Sequence, residues 1–88
     1  MLEIKTFVLN ASGVHARPAG MLVKESAKFK SNIELEFNSK KVNAKSIMGV
    51  MSLGLSQGDE ALLHISGVDE NEAKEAIVAL FEKGFGEL

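Results

Sequence analysis

Two stretches, IELEF at 33–37 and EALLHIS at 60–66, alternate apolar and polar residues. Strict alternation sends successive side chains to opposite faces of a strand. Ile33, Leu35 and Phe37 therefore look inward, as do Ala61, Leu63 and Ile65, while Glu34, Glu36 and His64 look outward. A sheet built from such strands has one buried face and one wet face, and it needs a covering layer on one side only. This pattern limits the chain to folds in which helices stack on a single face of an antiparallel sheet.

The rest of the sequence supplies both layers. Leu2, Ile4, Thr6 and Val8 fall on one face at period two, which predicts a strand over 2–9. Asn38-Ser39 is a tight turn between 33–37 and a further strand at 40–43. From Ala16 to about Lys28 the period becomes helical, with Ala19, Leu22, Val23, Ser26 and Ala27 as the core stripe. SIMGVMSL at 46–53 reads as a short helix. Asp69 and Glu72 have the spacing of a capping box. Ala73, Ala76, Ile77 and Leu80 follow at helical spacing, and Gly84 ends the last helix. The order is β-α-β-β-α-β-α: an α+β open-faced β-sandwich, with a four-stranded antiparallel sheet and three helices on one face. With 88 residues and no linker, residues 1–88 are expected to be one domain.

Composition removes several function classes. There is no cysteine, hence no disulfide, thiolate metal site or cysteine nucleophile. The net charge of −2, nine scattered lysines and the absence of Trp and Tyr argue against nucleic-acid binding. The start MLEIKTFVLN lacks a basic lead and long apolar run, and no stretch approaches the about 20 apolar residues of a membrane span. The expectation is a soluble, cytoplasmic chain. Two histidines far apart, with no third ligand placed by spacing, predict no metal site, and no cofactor is expected.

One octapeptide concentrates the unusual chemistry. GVHARPAG, residues 13–20, holds the only arginine, the only proline and one of two histidines. His15 precedes the first helix, and Pro18 fits a first helical turn. That helix start offers unpaired amides and a partial positive charge to an anion. Arg17 adds a planar donor fork suited to phosphate. A neutral imidazole nitrogen is a nucleophile able to form a covalent intermediate. These are the parts needed to accept and hold a phosphoryl group. Position alone also admits a plainer reading, a polar loop histidine beside a solvated arginine.

GVHARPAGMLV and KSIMGVMSLG together resemble the HPr family, the histidine-containing phosphocarriers of the bacterial sugar phosphotransferase system. The likeness runs over the whole chain and includes SGVDENEA before the last helix. It implies that His15 takes phosphate from phospho-enzyme I on its Nδ1 nitrogen, that Arg17 steadies it, and that it passes to IIA components of sugar permeases. It also implies that Ser46 is the regulatory site of an HPr kinase/phosphorylase, with a catabolite-control transcription regulator as a further partner. The KSIMGVMSLG stretch looks like the Gram-positive form of the motif. Gly20 departs from the family, where threonine is frequent, and weakens the helix slightly.

Read from the residues, Ser46 is a helix N-cap, and phosphate there would add about −1.5 to −2 charge. Ile47, Met48, Val50, Met51 and Leu53 point in too many directions for a short helix to bury them all, so some form an exposed patch. Arg17, Met21, Lys24 and Lys28 share the face of the first helix opposite its core stripe. Met21, Lys24, Ile47, Met48 and Met51 are therefore the expected partner-docking residues, with Lys28 and Lys45 around them. His64, Glu34 and Glu36 read as solvated residues of the open sheet face.

Overall fold

A computed structural model describes all 88 residues. Its strands are β1 (Leu2–Phe7), β2 (Asn32–Phe37), β3 (Lys40–Asn43) and β4 (Glu60–Ser66). Its helices are α1 (Ala16–Ser26), α2 (Ile47–Ser52) and α3 (Glu70–Glu82), followed by a 3₁₀ turn at Gly84–Gly86. The strands form one antiparallel sheet in the order β1-β4-β2-β3. Asn38 and Ser39 both lie at positive φ, 51° and 63°, which gives the β2–β3 hairpin the twist its strands require.

Alternation places the core. Val8, Ile33, Leu35, Ala61, Leu63 and Ile65 are buried, and they join Ala19, Leu22, Val50, Ala73, Ile77, Phe81 and Phe85 from the helical side in one apolar cluster. The helices thus cover one face, and Glu3, Lys5, Glu34, Glu36 and His64 stand on the other. The α+β sandwich expected from the pattern is the observed one.

Several local expectations are corrected. β1 stops at Phe7 rather than residue 9, because Val8 already bonds the turn before β4, with its N–H donating to Asp59 O at 3.0 Å. α1 ends at Ser26, and Ala27 is exposed instead of completing the core stripe. The Asp69–Glu72 capping box does not form. Asp69 turns its carboxylate outward from α3, accepting from the N–H of Lys30 at 2.8 Å, the N–H of Ser31 at 3.0 Å and the Ser31 hydroxyl. That tie fastens the α1–β2 connection to the start of α3. The Ser31 hydroxyl and then the Lys30 amide hold the Asp69 carboxyl below its usual range. Glu70 accepts from the Gly67 N–H at 3.1 Å instead. His64 is not freely solvated. Its side chain is 15% exposed and lies between Glu36 at 2.8 Å and Glu3 at 3.7 Å.

Candidate functional site

The loop before α1 is set by close backbone approach. Gly13 sits at φ +71°, and a Cβ there would run into the carbonyl of Leu55. The neighbouring Val14 N–H donates to that same carbonyl at 3.0 Å. Val14 is buried, so the chain leaves the core at His15, whose side chain is 44% exposed.

His15 is itself the N-cap of α1. It has extended backbone geometry and its carbonyl accepts from Ala19 N–H at 2.9 Å, yet its ring makes no cap hydrogen bond. A cap of Ser, Asp or Asn would satisfy a first-turn amide. Here those amides have no such partner, and Pro18, fully buried in the first turn, has no N–H to satisfy. The imidazole thus stands beside an open helix start.

A carboxylate that sequence reading did not single out reaches this place. Glu87 Oε2 lies 3.1 Å from His15 Nε2 and accepts from Arg17 Nη1 at 3.2 Å. Its Oε1 accepts from Asn10 Nδ2 at 3.0 Å, and Asn10 also donates to the Gly13 carbonyl at 2.7 Å. The Asn10 amide is the strongest of the influences holding the Glu87 carboxyl below its usual range; His15 and Arg17 add to it against a partial loss of solvation. Glu87 arrives through the turn that follows α3. Gly84 and Gly86 have positive φ, and Phe85 between them also adopts the left-handed region at φ 54°. The buried Phe85 ring packs edge-on against Phe81, 5.0 Å between centroids, which anchors that turn in the core. An aromatic residue between two glycines was the available sequence signal for a tail that folds back.

His15 Nε2 faces an acceptor and no hydrogen bond engages Nδ1. A neutral ring that donates from Nε2 keeps its lone pair on Nδ1. The site therefore combines an exposed imidazole, an arginine and an open helix start around one carboxylate.

Ser46 stands at the start of α2 as its N-cap, and its hydroxyl accepts from the Gly49 N–H at 3.2 Å. Beside it Ile47 is 43% exposed, Met48 77% and Met51 42%, while Val50 is buried. Arg17, Lys24 and Lys28 are exposed. Met21 differs from the expectation of a fully outward residue: it is half-buried and packs against the core, in a groove shared with Leu80 of α3. Lys45 is held by a hydrogen bond to the Phe29 carbonyl at 2.7 Å. Gly20 faces open space, so a side chain there would meet no atom within 4 Å. No group of three or more acidic or histidine side chains is placed to hold a metal ion, and no helix is long and apolar enough to cross a membrane.

Comparison with known proteins adds to this geometry. The family described as the PTS HPr component phosphorylation site matches residues 2–83. HPr from Thermoanaerobacter tengcongensis is 51% identical, with a TM-score of 0.96 over 100% of this chain and 99% of that one. HPr from Bacillus anthracis is 39% identical, with a TM-score of 0.87 over 91% and 95% of the two chains. Crh, the Bacillus subtilis catabolite repression protein solved as a swapped dimer, is 45% identical, with a TM-score of 0.76 over 96% and 97%. The match across nearly the whole chain agrees with a fold and motifs reached independently: the chain belongs to the HPr family of phosphocarriers of the phosphotransferase system.

Proposed function

We propose that this chain, acting in the cytoplasm as a single domain, accepts a phosphoryl group from phospho-enzyme I on His15 and passes it to IIA components of sugar permeases. The observation that carries the reading is the shared carboxylate: Glu87 holds both His15 Nε2 and Arg17. In the proposed step Nδ1 attacks phosphorus, an N–P bond forms on His15, and the bond from phosphorus to the donor breaks. Glu87 keeps the Nε2 proton in place and so preserves the nucleophilic lone pair. The arriving phosphoryl oxygens displace Glu87 from Arg17 and meet the first-turn amides of α1, where negative charge is favoured. Transfer onward reverses these events on a different acceptor. The chain is a carrier and needs no turnover of its own.

Intact-mass spectrometry after incubation with phosphoenolpyruvate and enzyme I tests this. One acid-labile phosphate is expected on the wild type and none on His15→Ala. Failure of the folded wild type to gain mass beside an active enzyme I would remove the carrier role.

Ser46 is the proposed regulatory site for an HPr kinase/phosphorylase. A phosphate on its hydroxyl would replace the cap, add negative charge beside the exposed Ile47, Met48 and Met51, and change which partners that patch accepts. Those three residues, with Lys24 and the partly covered Met21, are the proposed docking surface for enzyme I and IIA. A catabolite-control transcription regulator is the proposed reader of the phosphorylated form, in keeping with the likeness to Crh.

A further inference from the structure

Asn10 sits in the loop between β1 and α1 and ties the two halves of the histidine site together. It is fully buried. Its Nδ2 has two protons to give, and both are used: one goes to the Gly13 carbonyl at 2.7 Å and the other to Glu87 Oε1 at 3.0 Å. The Gly13 N–H donates back to the Asn10 carbonyl at 3.1 Å. One nitrogen thus grips the loop two residues before His15 and also the tail that meets His15 from the other end of the chain. Asn10 Oδ1 is buried without a partner. The two acceptors impose this orientation, because the amide turned over would set Oδ1 against the Gly13 carbonyl and the Glu87 carboxylate.

The buried Phe85 anchors the backbone of the tail, but the Glu87 side chain still has its own torsions to settle. The His15 and Arg17 side chains that it meets are 44% and 61% exposed, and exposed charged contacts hold a rotamer weakly. Asn10 offers a buried donor to a charged acceptor, which is the stronger kind of hydrogen bond. It occupies Oε1 and leaves Oε2 turned to His15 Nε2 at 3.1 Å and to Arg17 Nη1 at 3.2 Å. We propose that Asn10 is a positioning residue for the His15 ring. By fixing Glu87, it holds the neutral imidazole in the tautomer that carries its proton on Nε2 and its lone pair on Nδ1. Asn10 makes no hydrogen bond with the imidazole and acts through Glu87. Its bearing on phosphoryl transfer rests on the proposed role of His15, whereas the tautomer can be read without it.

NMR of the ring nitrogens of His15, on the full chain at a pH where the imidazole is neutral, reads the tautomer directly. The Nε2–H form should dominate in the wild type. Asn10→Ala should raise the ratio of the Nδ1–H to the Nε2–H form by about fivefold, the scale of one hydrogen bond. Asn10→Asp, which keeps the volume and removes the donor, should act in the same direction and serves if the alanine variant does not fold. Glu87→Ala should produce the same shift, and adding either substitution at Asn10 should move the ratio no further. A residue that only shaped the loop would move the ring equally in both backgrounds. With phosphoenolpyruvate and enzyme I, the rate of phosphate uptake should fall by a similar factor at an unchanged KM for enzyme I, since Asn10 is buried. A wild-type ring already in the Nδ1–H form overturns the proposal. So does a ratio that the folded variants at Asn10 leave unchanged, or one that they shift as much without Glu87 as with it. A wild type with the Nε2–H ring that gained no phosphate would instead remove the carrier role and leave the positioning by Asn10 standing on the variant ratios.

Discussion

The starts of α1 and α2 carry opposite solutions to the same problem. Each helix begins with amides that its own turns cannot satisfy. At α2 the cap is Ser46, and its hydroxyl accepts from the Gly49 amide, so that end is closed by local chemistry. At α1 the cap position belongs to His15, whose ring declines the role and meets Glu87 instead. The first arrangement stabilises a helix of only six residues. The second leaves the first-turn amides without a side-chain cap beside an exposed imidazole and an arginine. Two helix starts of one fold thus differ: one end is closed by its own serine, and the other is left open beside an imidazole and a guanidinium, which is what the proposed function requires of it.

The largest effect that would sharpen this contrast, after loss of His15 itself, belongs to Arg17. Arg17→Ala should slow phosphoryl transfer by about 100-fold, the scale of removing one donor that stabilises developing charge. Rapid-quench transfer kinetics would measure it, and a rate within a factor of about two of wild type would break the assignment of the open end. Next is Met48→Asp, which sets a negative charge beside the α2 start while sparing the cap. It should raise the KM for enzyme I by about tenfold with unchanged thermal stability. Wild-type kinetics in the folded variant would exclude Met48 from docking. Ser46→Ala should leave transfer from enzyme I near the wild-type rate and lower stability by about 1 kcal/mol in urea unfolding, the cost of a lost cap. Equal stability would mean that the Gly49 contact contributes nothing.

The smallest effect concerns acid. The Glu87 carboxyl titrates below its unfolded value. Its stabilising contribution is therefore fully present above the unfolded pKa and is lost as pH falls through the folded one. Asp69 and Glu70 act with the same sign. In urea unfolding followed from neutral pH into acid, the difference between wild type and Glu87→Gln should shrink as the carboxylates protonate. A difference that stays constant would show that the Glu87 charge is not part of the α1 end in the folded protein.

What could be read from sequence followed the range of the forces involved. IELEF and EALLHIS became β2 and β4 within one residue, because alternation on a half-buried sheet is a local signal. Ser46 was legible as a cap for the same reason, since cap and recipient amide are three positions apart. Asp69 misled because the local cap competes with donors from Lys30 and Ser31, which lie far away in sequence and take its carboxylate. Met21 was read onto the outward face of α1 but is half-buried against the core, because helical period cannot show that Leu80 would share its groove. Glu87 left only an indirect sign, the aromatic residue between two glycines. It meets His15 from 72 positions away, and only a left-handed phenylalanine between two glycines brings it there.

The bare cap of α1 sets endurance against use. Replacing His15 with Ser or Thr would supply the hydroxyl that first-turn amides lack, and a gain of about 1 kcal/mol is the ordinary return for that change. A collection of variants sorted only by resistance to heat would therefore tend to discard the one histidine on which the proposed chemistry depends. In the proposed role, the missing cap is a cost in stability that the fold bears at the position where the chemistry would take place.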